Sequence, residues 1–350
     1  MHLISLPVTA AWFLLAVGLV ALLPAGRALR RRARARAPWV VLAALLVVVL
    51  GADGVNAYFS YLARLGDVAG VPTWPTVPEQ VLAGAPVGPQ PRGAVVQWHL
   101  DDGVAHAGRQ DVWTYLPPQW FTSPGRRFPV VYLLHGSPGV PQDWLRAGGA
   151  VEAGLAAARA GHPALVVLPR VGRGWLDDSE CVDGAQEKAQ TYLVHDVVTQ
   201  VDARLRTVPA RGARTIAGMS AGGYCALNVG LRHRDVFGTV LDLSGLTRPT
   251  HVGGARALYG AAGQRHRDTP QEYVDSLPAA PATTVWLDVG RGDEEVRPVV
   301  TSIAPRLRAR GLHVELHLRP GGHTFHVWRP ALAQALPWAA ARMSAGGHPS

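Results

Sequence analysis

Arg214-Thr215-Ile216-Ala217-Gly218-Met219-Ser220-Ala221-Gly222-Gly223 decides how this chain is read. A short apolar run leads into Gly-x-Ser-x-Gly, and small residues follow at once. The pattern predicts a buried strand, a sharp turn carrying Ser220, and the first turn of a helix: a nucleophile elbow. A serine hydroxyl attacks poorly until a base takes its proton and the backbone lifts it clear of its neighbours. Gly218 and Gly222 keep the turn tight, because a side chain at either position crowds it. The helix start points backbone N–H groups at any oxyanion that forms beside the serine. The bland alternative is a glycine-rich βα turn without chemistry.

Outward from this turn the chain alternates strand-like and helix-like segments. Val95 to Leu100 and Gln110 to Leu116 read as early antiparallel strands, and Phe128 to Leu134 and Ala164 to Leu168 as buried ones. Gly238 to Leu243, Thr284 to Val289 and His313 to Leu318 supply three more. Helical spacing marks Val151 to Ala160, Thr191 to Leu205 and Ile303 to Arg310. Such alternation predicts an α/β fold, a mostly parallel sheet flanked by helices.

An activated serine needs a base, an acid to orient it and donors for the oxyanion. In a sheet of this kind they lie on loops after strands, in the chain order Ser, acid, His. The last strand is followed by Gly321-Gly322-His323-Thr324-Phe325-His326. His323, on the glycine turn, is the expected base, and His326, where a helix starts, is the fallback. The spacing of the two does not suit a metal site. After Thr284 to Val289 comes Gly290-Arg291-Gly292-Asp293-Glu294-Glu295. Asp293 holds the loop position for the acid, with Glu294 and Glu295 as rivals. Asp288 lies within the strand and is read as structural. The backbone N–H of Ala221 is one expected oxyanion donor. The other is Ser137 of His135-Gly136-Ser137-Pro138-Gly139, since Pro138 has no N–H. His135 is given a structural hydrogen-bonding role.

Several of these pieces together resemble the esterase D-like branch of the α/β-hydrolases, which includes enterochelin esterases, S-formylglutathione hydrolase and the mycolyltransferases of actinobacterial envelopes. The matching segments are Asp111 to Pro118, Pro129 to Gly139 with Trp144, Gly218 to Gly223, Leu287 to Glu294, and Gly321-Gly322-His323 with Trp328. The likeness runs from Gly93 to about Ala340. It implies the α/β-hydrolase fold, Ser220 as nucleophile, His323 as base, Asp293 as acid, and Ser137 and Ala221 as oxyanion donors. In the mycolyltransferases a glutamate takes the acid role, which keeps Glu294 and Glu295 in play. No acyl-acceptor signature marks this chain as a transferase.

The chain has 350 residues, 48% of them hydrophobic, and a formal charge of +9. Seven arginines precede Asp67 and only Asp53 opposes them, leaving 27 basic against 24 acidic residues in the rest. The basic excess is thus N-terminal and does not argue for nucleic acid. Leu6 to Leu23 is uncharged and long enough to cross a bilayer. Arg27 to Arg36 follows, then a second apolar run from Trp39 to Leu50 whose outer part carries Asp53. With the arginines inside, both ends of residues 1–66 face out, and the catalytic domain is extracytoplasmic. The rivals are a cleaved signal peptide in the second run and core helices of a soluble fold for both runs. Six prolines in residues 67–92 predict a stiff linker, and 93–342 form the catalytic domain. Cys181 and Cys225 have no zinc spacing; an oxidising exterior permits a disulfide that would pin the loop Trp175 to Gly184 beside the elbow, and two unrelated reduced cysteines are the alternative.

The expectation is a membrane-anchored, exported serine hydrolase that cleaves small-molecule, lipid or sugar carboxylic esters through an acyl-enzyme, without metal or organic cofactor. The alternatives are an acyltransferase that delivers the acyl group to an envelope sugar or lipid, and a non-catalytic envelope binding protein.

Overall fold

The structure, a computed structural model, describes residues 42, 44–51, 56, 74–172, 179–184, 187–249, 258–259, 263–278 and 283–345. Among the described residues nine strands form one sheet: β1 (Thr76–Val77), β2 (Ala94–Leu100), β3 (Gln110–Leu116), β4 (Val130–Leu134), β5 (Leu165–Pro169), β6 (Arg214–Met219), β7 (Thr239–Leu243), β8 (Thr284–Gly290) and β9 (His313–Arg319). Their order is β1-β2-β3-β5-β4-β6-β7-β8-β9. β3 runs antiparallel to both β2 and β5, and every other neighbouring pair is parallel.

Central parallel strands are covered on both faces and so read as unbroken apolar runs rather than alternations. β4, β5 and β7 are buried at every position, whereas the edge strand β9 is mostly part-exposed. The main helices are α1 (Ala150–Arg159), α2 (Val198–Arg204), α3 (Ala221–Arg232), α4 (Val296–Ala309) and α5 (Phe325–Ala345). Val130, Tyr132 and Leu134 share one apolar cluster with Val198 and Val201 of α2, Leu227 of α3 and Val300 of α4. The alternate strand residues face the other way: Thr215 donates its hydroxyl hydrogen bond to Met343 Sδ of α5 at 3.2 Å. This is the arrangement expected from the strand and helix periods, an α/β-hydrolase sheet with helices on both faces.

Three departures from the sequence reading have physical causes. First, the expected linker 67–92 ends sooner. Trp74 opens the second of the chain's two units, Met1–Thr73 and Trp74–Ser350. Thr76 and Val77 pair with Val95 and Val96, and buried Val81 sits on a short 3₁₀ turn, Glu79–Ala83. Proline forbids a central strand but not an edge strand of two residues. Second, the helix expected over Thr191 to Leu205 contains a π turn, Tyr192–Val197. There buried Asp196 accepts from the Val104 and Ala105 N–H groups at 3.0 and 2.9 Å. Third, the helix expected from Ile303 begins earlier, at Val296, and carries Pro305 inside.

In the N-terminal unit, residues 44–51 are helical and Leu45, Val47, Val48 and Leu50 are exposed. Among the described residues no helix is long and apolar enough to cross a membrane. The first expected span lies wholly, and the second partly, outside them.

Cys181 and Cys225 are bonded, and both are buried. Closing a chain segment across a separation of 44 residues removes unfolded-state entropy, for which the chain-entropy relation gives about 4 kcal/mol as an upper figure. Mass spectrometry of protein purified without reductant is expected to find no free thiol. The double variant C181A/C225A is expected to lose about 2–4 kcal/mol in urea denaturation.

Candidate active site

The elbow forms at the end of β6, the central strand between β4 and β7. Ser220 has φ 54° and ψ −122°, a conformation that costs a non-glycine residue about 1–3 kcal/mol and survives only where the surroundings enforce it. They do so here from three sides. Ser220 N–H donates to the Leu243 carbonyl at 3.0 Å, and the Ser220 carbonyl accepts from Tyr224 N–H at 2.9 Å. A Cβ at Gly218 would run into the Gly222 backbone, and one at Gly222 would stand 2.5 Å from the Leu134 carbonyl oxygen. Both glycines are thus required by close approach, as the motif predicts.

Ser220, His323 and Asp293 come together. His323 Nε2 is 2.8 Å from Ser220 Oγ, and His323 Nδ1 is 2.7 Å from Asp293 Oδ2. A carboxylate only accepts, so Nδ1 carries the proton and the Nε2 lone pair faces the hydroxyl. Asp293 is buried, and its Oδ1 accepts from Val296 N–H at 3.2 Å, at the start of α4, where the helix dipole complements a negative charge. Two backbone hydrogen bonds zip the Asp293 loop to the His323 loop: Arg291 N–H to Arg319 O at 2.7 Å and Gly292 N–H to Gly321 O at 2.8 Å. Trp328 packs edge-on against the imidazole, with ring centres 4.9 Å apart.

The rivals stand apart. Glu294 and Glu295 are exposed, and Glu295 reaches only the pocket wall. His326 lies exposed on the first turn of α5. Asp288 is fully buried and accepts a forked bond from Arg319 Nε at 2.8 and 2.7 Å; burial holds its pKa above the ordinary value despite that arginine.

A pocket of about 300 Å³ opens over Ser220, lined among others by Ser137 and Ala221. The loop after β4 runs close beneath it: a Cβ on Gly136 would lie 3.4 Å from Ser220 Cβ. His135 fixes that loop. Its Nε2 accepts from Val171 N–H at 3.1 Å and its Nδ1–H donates to the Gly136 carbonyl at 2.8 Å, so both partners dictate one neutral tautomer.

The sequence reading did not single out Glu180, Tyr224, Ser244 and Arg248, which complete the walls. Glu180 had one available signal, its place beside Cys181. Nothing local marks Ser244, which has φ 60° and is fully buried. Nearby Asp242 is buried with Oδ2 unpaired, and burial pushes its pKa to about 7. Among the described residues no cluster suits a metal ion.

Residues 105–339 match the putative-esterase family, so this chain belongs to that family. It is 27% identical over 326 residues to an uncharacterised protein of Corynebacterium glutamicum, covering 87% of this chain and 76% of that one. It is also 27% identical over 240 residues to an esterase of Mycobacterium tuberculosis, matching 60% of this chain and 51% of the esterase. The chain thus spans about half the length of that relative. Among solved structures, a ferulic acid esterase superposes with a TM-score of 0.63 at 23% identity, covering 72% of this chain and 98% of that one. An S-formylglutathione hydrolase from Agrobacterium tumefaciens superposes with a TM-score of 0.59 at 16% identity, covering 73% and 98%. These structures share the fold. The expected esterase D-like branch, and the class of carboxylic ester hydrolase, agree with the family found.

Burial, aided by nearby Arg170, pushes the His135 pKa down to about 4. Between pH 6.5 and 4 the unfolded chain therefore binds a proton that the folded chain refuses. The stability from this residue is complete above pH 6.5 and falls as pH drops through that window, by about 3 kcal/mol in all. Asp242 acts with the opposite sign in both proteins compared and cancels. Urea titrations are expected to show the stability gap between the wild type and His135→Gln shrinking from pH 7 to pH 4. A constant gap refutes a neutral buried imidazole.

Proposed function

We propose that this chain is a serine hydrolase that cleaves carboxylic esters through an acyl-enzyme, with Ser220 as nucleophile, His323 as base and Asp293 as orienting acid. The observation that carries the reading is the unbroken line of contacts from Ser220 Oγ through the His323 ring to the buried Asp293 carboxylate. In the first step His323 Nε2 takes the hydroxyl proton while Oγ bonds to the ester carbonyl carbon. The oxyanion is received by the N–H groups of Ala221, at the start of α3, and of Ser137. The imidazolium, held by Asp293, gives its proton to the departing alkoxide and the C–O bond breaks. A water molecule, deprotonated by His323, then attacks the acyl carbon, and Ser220 leaves with its proton restored.

Hydrolysis of p-nitrophenyl esters of graded chain length by the purified full chain tests the assignment. Ser220→Ala is expected to lower kcat by about 10⁶-fold and to abolish labelling by a fluorophosphonate. Asp293→Asn is expected to lower kcat by about 10⁴-fold, because the imidazole then takes the wrong tautomer. Glu294→Gln and Glu295→Gln are expected to stay within a few fold of the wild type. An alcohol acceptor added to the assay decides whether a hydroxyl competes with water for the acyl group. Full labelling of Ser220→Ala would end the proposal.

The N-terminal unit is assigned, as part of the same reading, to a membrane anchor that leaves the catalytic unit extracytoplasmic. It is supported by the uncharged run Leu6 to Leu23, the arginine cluster behind it and the exposed apolar residues Leu45, Val47, Val48 and Leu50. The full chain is expected to stay with membranes through alkaline carbonate extraction, and added protease is expected to digest the catalytic unit in spheroplasts. Release by carbonate refutes the anchor, and protection from protease refutes the orientation.

A further inference from the structure

A second cavity, of about 230 Å³, lies at the carboxyl end of β5 and is not part of the Ser220 pocket. Its walls include Arg170, Lys188, His106, Glu187 and Tyr192. Two of these groups make no hydrogen bond among the described residues. Arg170 is half-buried, yet among the described residues it makes no hydrogen bond or ion pair. The Tyr192 hydroxyl is buried and has no hydrogen-bond partner among the described residues. A buried phenol without a partner is costly in a folded chain, and a half-buried guanidinium with no bond among the described residues leaves its donor fork for a ligand. The two together in the wall of one cavity suit an anionic ligand that takes both donors. Lys188, the chain's only lysine, adds a second cation at the rim, where it is exposed. The opposing carboxylate in the wall is Glu187. Asp196 acts on Tyr192 from below, but its oxygens already serve the Val104 and Ala105 N–H groups and His195 Nδ1.

We propose that this cavity binds an oxyanion, a phosphate or carboxylate group. Arg170 supplies the planar donor fork, Lys188 the second charge and Tyr192 a hydroxyl donor. The site does not depend on the catalytic reading: it needs no chemistry at Ser220. It has two sources of ligand, an anionic group on the ester substrate itself or a separate anionic molecule. Position makes the first worth testing. Arg170 is followed by Val171, whose N–H binds His135, and His135 holds the loop that carries Ser137 into the active-site pocket.

The test titrates inorganic phosphate into the full chain by calorimetry at fixed ionic strength. Saturable binding is expected in the wild type and unchanged in Ser220→Ala. It is expected to weaken at least tenfold in Arg170→Gln and several fold in Lys188→Ala, with Tm unaltered in the exposed Lys188 variant. Arg248→Gln, on the wall of the other pocket, is expected to bind as the wild type does. Kinetics then separate the sources, using a chromogenic butyrate and a chromogenic ester whose acyl chain ends in a carboxylate. If the anion belongs to the substrate, Arg170→Gln raises KM for the second ester only. If it is a separate ligand, neither KM moves although phosphate binding is lost. Absence of saturable phosphate binding in the wild type, or a loss that follows Arg248 instead of Arg170, overturns the proposal.

Discussion

The site depends on one strained residue. Ser220 adopts a backbone conformation that its own chemistry disfavours, and the neighbouring strands keep it there. β7 contributes a carbonyl to its N–H, and the loop after β4 passes so close to Gly222 that no side chain fits between. Because the hydroxyl is fixed by backbone on all sides, it has one direction to point. Any group that meets it must come to it. The edge of the sheet meets that demand. β8 and β9 end beside each other, and their loops are hydrogen-bonded together before either touches the serine. The imidazole and its carboxylate therefore arrive as one preassembled unit, and little side-chain entropy is lost when the pair meets the Ser220 hydroxyl.

Much of this was legible in sequence because it rests on patterns with a short physical reach. Ser220 announces itself through Gly218 and Gly222, whose spacing reports the close approach of backbones. β4, β5 and β7 announce themselves as uninterrupted apolar runs. His323 follows from chain order and a glycine turn. The choice of Asp293 over Glu294 and Glu295 rested on loop position alone and left both rivals open, because three adjacent acids differ only in direction. What separates them is where α4 starts: Asp293 accepts from Val296 N–H at the helix entrance, which turns its other oxygen inward. The two glutamates lie at the exposed beginning of the helix. A boundary error of a few residues in α4 is enough to hide that distinction. β1 was hidden for a related reason, since two residues between prolines carry no period at all.

The walls of the active-site pocket were illegible for a different reason. Glu180, Ser244 and Arg248 come from segments whose paths are set by tertiary ties rather than by local preference. Ser244 follows β7 with positive φ, and its N–H donates to the Asp288 carbonyl of the adjacent strand. Asp288 is in turn held by Arg319 of β9. A sequence reading places Asp288 in a strand and expects a structural role. It does not show that this role extends across the sheet to the pocket.

The excursion between β5 and α2 shows how such a segment becomes a wall and not a flap. Cys181 ties it covalently to α3, one helical turn and a residue beyond Ser220. Asp183 accepts from Thr191 N–H and Oγ at 2.8 and 2.7 Å, capping the helical stretch that begins at Ala189. Its carbonyl accepts from Gln264. These ties hold Glu180 on the active-site pocket and Gly184, Glu187 and Lys188 on the second cavity. One loop therefore borders both sites, and it is fastened to α3, the helix that begins directly after Ser220.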